Sequence, residues 1–140
     1  MPTFAFFERR REWGALFIRL AFGAHLMWVS TDLFSRAGQH EFAAYLGTLG
    51  VPFPLLSSFL SHITEFFGGL CLMLGLAIRP VSLVLIFNFT VALGLALRGQ
   101  PYAKQFQAIQ MMAVAWFLLF HGAGGFSLDA LLARRRAAAD

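Results

Sequence analysis

Residues 55–78, LLSSFLSHITEFFGGLCLMLGLAI, are followed by Arg79-Pro80 and then by residues 81–97, VSLVLIFNFTVALGLAL. Each run is long enough, at 1.5 Å per helical residue, to approach the roughly 30 Å of a hydrocarbon core. Proline cannot continue the first helix but suits the opening turn of the next, so a link this short implies an antiparallel helical hairpin. Two further apolar runs flank the hairpin. The first covers residues 13–34 and is interrupted by Arg19, His25 and Asp32; the last covers residues 103–121 and ends at His121-Gly122-Ala123-Gly124-Gly125. The fourth run is short and includes Gln107 and Gln110, whose amides are expected to face other helices instead of lipid. The reading is all-α: a polytopic membrane four-helix bundle filling the 140 residues as one domain, with its one sizeable loop over residues 35–54. Within that loop Phe42, Tyr45, Leu46 and Leu49 form an amphipathic stretch expected to lie on the membrane surface.

Composition agrees with lipid as the solvent. Hydrophobic residues make up 59% of the chain and charged ones 13%, with mean hydropathy +0.68, more apolar surface than a soluble domain of this length can bury. The net charge of +4 does not imply nucleic acid, because the arginines cluster at the ends of apolar runs, where they set orientation. Arg9, Arg10, Arg11, Arg79, Arg134, Arg135 and Arg136 fall on one side, against Arg36, Arg98 and Lys104 on the other. Basic flanks stay in the cytoplasm, so both termini are expected there. The first apolar run lacks a small-residue cleavage site and is expected to remain as an anchor. The single Cys71 excludes an internal disulfide and self-contained dithiol chemistry.

Polar residues inside the spans are the candidates for function, since a charge in hydrocarbon needs a partner or water. Counting from the cytoplasmic face, His25 lies about 18 Å up and Glu65 about 16 Å up, with His62 one turn from Glu65 toward the outside. Arg19 and Asn88 lie lower, at about 9 and 10 Å. The expected site is therefore Glu65 with Arg19, His25, His62 and Asn88: a buried carboxyl that accepts a proton or meets a quinone-like ring, or else one that locks helices together. Gly68 and Gly69 would admit a neighbouring backbone or a flat ligand. His25 and His62 offer only a weak case for haem b, because both rings must face one gap, and no ligand cluster completes a metal shell. The chain has no phosphate loop, nucleophile elbow or zinc spacing, so a self-sufficient enzyme of soluble type is not expected.

Arg19-Leu20-Ala21-Phe22-Gly23, Leu49-Gly50-Val51-Pro52-Phe53-Pro54, Glu65-Phe66-Phe67-Gly68-Gly69-Leu70, Gly75-Leu76-Ala77-Ile78-Arg79 and the stretch from Gly122 to Leu131 together resemble the DoxX family in order and spacing. That resemblance runs from about residue 14 to the arginine cluster. It implies a small multi-pass protein of the bacterial inner membrane linked to quinone-coupled respiratory chemistry. Some relatives look like the membrane subunit of thiosulfate:quinone oxidoreductase, and others associate with oxidative-stress or thiol-handling complexes. The expected role is a membrane subunit of a redox complex, in contact with the lipid bilayer and with other membrane or redox subunits, and a homo-oligomer stays open. An accessory or assembly subunit is the alternative, and a small-solute transporter ranks third.

Overall fold

The computed structural model describes Phe6 and residues 10–138; Arg9, which enters the charge count, lies outside them. The described residues form six α-helices and no strand: α1 (Arg11–Val29), α2 (Arg36–Thr48), α3 (Pro54–Leu74), α4 (Ile78–Val91), α5 (Tyr102–His121) and α6 (Leu128–Ala137). A 3-10 turn, Thr31–Phe34, follows α1, and a π-helical turn, Ala92–Ala96, extends α4. Among the described residues two helices are long and apolar enough to cross a membrane: α3, with mean hydropathy 1.3, and α4 with its π turn, at 1.8.

α1 packs on α3, α3 on α4, and α4 on α5, while α5 makes a smaller contact back to α1. Leu26, Leu72, Ile78, Leu85, Phe89 and Leu118 meet in the shared core. The closest approach is between α1 and α3. A Cβ on Gly23 would sit 2.6 Å from the carbonyl oxygen of Gly69, and a Cβ on Gly69 would sit 2.6 Å from that of Gly23. Only two glycines permit this backbone contact. Leu85 of α4 fills the space beside Gly68, so neighbouring helices occupy both glycine positions.

The helical break precedes Arg79-Pro80. Gly75, at φ 67°, ends α3 in a Schellman motif, with the Leu76 amide donating to the Cys71 carbonyl and the Gly75 amide to that of Leu72. Ala77 then adopts a left-handed φ of 50°, a conformation that costs a non-glycine residue energy and needs outside support. Asp129 supplies it. Its carboxylate accepts from the amides of Ala77 (2.8 Å) and Ile78 (3.2 Å), capping α4 from another helix, while its own amide donates to the Gly75 carbonyl.

α2 does more than rest on a surface. It folds against α3 and buries Gln39, Ala43 and Leu46, whereas Leu49, expected on the apolar side, is exposed. Gln107 and Gln110 also depart from expectation: both are exposed on the outer side of α5, because Ala108, Met111, Ala115 and Leu118 set the side of that helix that meets the core.

Candidate functional site

Glu65 lies midway along α3, partly buried between α1 and α4. Its Oε1 accepts from Asn88 Nδ2 at 3.0 Å, and its Oε2 lies 3.2 Å from the Ser30 hydroxyl, whose one hydrogen is shared with the Leu26 carbonyl at 2.6 Å. Ser61, one turn earlier on α3, donates to Asn88 Oδ1 at 3.2 Å and so orients the amide. A single carboxylate thus ties the end of α1 to the middle of α4. The alternation of buried residues explains the geometry: Arg19, Gly23, Leu26 and Ser30 are all buried and recur at four- and three-residue intervals, one stripe of α1 turned inward.

His62 is buried a turn from Glu65, its ring edge-on to Phe42 at 5.3 Å. Its Nδ1 lies 2.9 Å from the Ser58 carbonyl, which only accepts, so Nδ1 carries the proton and Nε2 is the acceptor nitrogen. Ser58 in turn donates to Gln39 Oε1 of α2 at 2.9 Å, continuing a polar track from the carboxylate toward the α2 end of the molecule.

Two residues expected beside Glu65 are elsewhere. Arg19 is 1% exposed, and its hydrogen bonds go to main-chain carbonyls: Nε donates to Leu72 at 3.0 Å, and the terminal nitrogens donate to Ala123 and to Phe126, the latter at 2.8 Å. These are carbonyls at the negative end of α3 and in the loop before α6, where a cation is favoured by the helix dipole. The segment around Arg19 is a clasp, reinforced by Glu12 accepting from the Gly125 amide at 2.7 Å and by Ser127 capping α6 at Ala130. His25 is exposed on the outer surface of α1, 100° round the helix from buried Leu26. It shares depth with Glu65 but not direction. The two histidines accordingly do not face one gap.

A cavity of about 110 Å3 adjoins the carboxylate cluster. Ser57, Ser61 and Asn88 provide its polar edge, and Phe42, Leu46, Val91 and Leu95 provide apolar walls. Its upper end is the π turn, where the Leu97 amide reaches the Ala92 carbonyl and the Tyr45 hydroxyl donates to the Ala96 carbonyl at 2.5 Å. π turns widen a helix locally and recur at functional sites. Ser30 and Ser61 were not among the residues singled out from sequence. Ser61 precedes Glu65 by four residues and Ser30 continues the Arg19 stripe, so helical spacing carried both.

No curated protein and no solved structure matches the chain at significance. The family model for DoxX matches residues 14–98, which take in α1 through the π turn and end before α5 and the clasp loop. With that match over more than half of its length and two helices apolar enough to cross a bilayer, the chain belongs to the DoxX family and is a membrane protein.

Proposed function

We propose that the chain is a multi-pass four-helix bundle of the bacterial inner membrane, both termini cytoplasmic, and a subunit of a redox complex in which Glu65, Asn88 and Ser61 engage a quinone-type ring. The orientation is supported by Arg10, Arg79 and Arg134 to Arg136 against Arg36, Arg98 and Lys104 in the opposite connections. The carrying observation is a small, mostly apolar cavity edged by Ser61 and Asn88, the amide that Glu65 holds from behind. At about 110 Å3 the cavity is smaller than the roughly 150 Å3 apolar cavity that accepts a benzene ring, so it takes the edge of a ring that carries the oxygen and not the whole ring.

The donor set suits a ring carbonyl. An amide nitrogen has two hydrogens, and Asn88 commits one to Glu65, leaving the other for an oxygen in the cavity. A bound quinone supplies two-electron, two-proton chemistry. The chain's part is to hold the ring by Asn88, exclude water with Phe42, Leu46 and Leu95, and hold a proton at Glu65, which stands behind Asn88. His62, with Nε2 as acceptor, lies one turn farther along α3 as a second proton-carrying group. His25 and Arg19 take no part.

The test is quinone-dependent turnover of the intact complex in native membranes. Glu65→Gln retains the acceptor for Asn88 but not the titratable proton, so turnover falls by about tenfold or more at unchanged protein level. Wild-type turnover in that variant refutes the site.

One observation favours a second reading, that of an accessory subunit: both oxygens of Glu65 are satisfied within the protein, by α1 and by α4. On that reading the carboxylate only fixes helix positions. Glu65→Gln then changes protein level or complex recovery, with no selective kinetic effect.

A further inference from the structure

Two stripes on the outer surface carry polar groups that the internal packing does not use. On α1, Gly14, Ile18, Ala21, His25 and Trp28 recur at alternating four- and three-residue intervals, and all but half-buried Ile18 are exposed. On α5, Ala103, Gln107, Gln110, Val114, Phe117 and His121 follow the same rule, and all but half-buried Val114 are exposed. A 3.5-residue repeat keeps side chains on one side of a helix and is the spacing with which helices interlock with a partner.

Both stripes look the same way. His25 is two residues, or 200°, from Gly23, which meets α3, and Gln110 is 200° from Met112, which meets Thr90 of α4. α1's stripe therefore faces away from α3 and α5's away from α4, so both border the seam where α1 and α5 touch.

They also match in height. A Cβ on Gly124 would lie 3.6 Å from Ala15 Cβ and 3.9 Å from His121 Cε1, which puts those two residues at one level. His25 is ten residues above Ala15, about 15 Å, and Gln110 is eleven above His121, about 17 Å. α1 and α5 are also the two long helices that fall short of the apolarity of a candidate span. The least lipid-compatible helices are neighbours, and their outward amides and imidazole lie in one belt.

We infer that this face joins two copies of the chain, His25 of each copy hydrogen-bonding Gln110 of the other. The inference rests on the membrane-spanning reading of α1 and α5, not on the quinone site. An amide or imidazole facing hydrocarbon needs a partner, and each of these groups both donates and accepts. A two-fold axis along the membrane normal preserves height, so His25 of one copy meets Gln110 of the second at the same depth, twice. The stripes carry no Asp, Glu, Lys or Arg, so two copies do not repel. Gly14, where nothing lies within 4 Å of a Cβ, and the small Ala21 and Ala103 allow the helices to approach closely.

The experiment measures the mass of the purified full chain in mild detergent and in lipid nanodiscs, alongside alkaline carbonate extraction of native membranes. The expected species is a dimer, and the double variant His25→Leu with Gln110→Leu dissociates about tenfold more readily while its thermal midpoint is unchanged. As a second measurement, differently tagged Ala21→Cys and Val114→Cys chains in a Cys71→Ser background are co-reconstituted. They cross-link on oxidation, whereas Phe87→Cys on α4 does not. A monomer in nanodiscs, a dimer indifferent to the double variant, or equal cross-linking through Phe87→Cys overturns the inference. Release of the chain by carbonate instead overturns the spanning reading on which it rests, so the two failures are told apart.

Discussion

Asn88 of α4 and Glu65 of α3 are joined by a 3.0 Å hydrogen bond from amide to carboxylate, and Ser61 holds the amide from its other end. The pair links two helices at a point where the carboxylate is also met by Ser30, at the end of α1. Removing one partner leaves the other without its hydrogen bond between helices, which costs roughly 1–3 kcal/mol or more for a charged group. Asn88→Leu should therefore lower the thermal midpoint in detergent more than Glu65→Gln does. A midpoint for Asn88→Leu equal to wild type would show that the contact contributes nothing.

The mutual contact of Gly23 and Gly69 predicts a steric effect of unusual specificity. Alanine at either position places a methyl 2.6 Å from a backbone oxygen, which cannot move away as a side chain can. Overpacking of this kind costs about 1–3 kcal/mol. Gly69→Ala should lose stability by that amount in thermal unfolding, while Gly47→Ala, whose nearest neighbour would be 3.8 Å away, should not.

Arg19 is a test of geometry against charge. Its planar fork reaches three carbonyls on two segments, and an ammonium cannot reproduce that spread. Arg19→Lys should loosen the clasp and Arg19→Met should loosen it further, read as faster proteolysis of the α5–α6 connection. If Arg19→Lys is cut no faster than wild type, the fork is not what holds the loop.

Asp129 caps α4 in trans and supports the left-handed Ala77. Loss of a helix cap costs about 1 kcal/mol. Asp129→Ala should lower stability by about that much, and Asp129→Asn by less, because the amide oxygen still accepts one bond. The comparison is made by chemical or thermal unfolding of the purified chain.

Much of the site was legible in the chain because depth along a helix is a count of residues. Glu65 in α3 and Asn88 in α4 were both singled out by being polar within apolar runs, and the structure brings them together. Rotation about the helix was less legible. His25 was chosen for its depth, but one residue is 100° of turn, and the stripe through Arg19, Gly23, Leu26 and Ser30 leaves His25 outside. Gln107 and Gln110 misled for a related reason: polar character argued for the interior, while the small and apolar Ala108, Met111 and Ala115 took it.

The partner of Arg19 was not legible at all. Its three acceptors are backbone carbonyls, which every residue has, and two of them are more than a hundred positions away. The closing glycine-rich stretch from Gly122 onward could be noticed as a pattern, but its purpose as a clasp emerges only once α6 is laid against the α3–α4 turn.

The amino-acid order alone determined the all-helical character, the apolar runs, the existence of a break between the second and third and another near Gly99, and the asymmetry of the arginines, because hydropathy, helix length and turn chemistry are local properties. The tertiary structure alone decided which side of each helix turned inward, that Ser30 and not His25 reached Glu65, and that Arg19 bound carbonyls instead of the carboxylate. The physical reason is that a helix can rotate about its axis without changing its own hydrogen bonds. Its rotational setting is chosen only by the packing of its neighbours, here above all by the two glycines that let α1 and α3 touch.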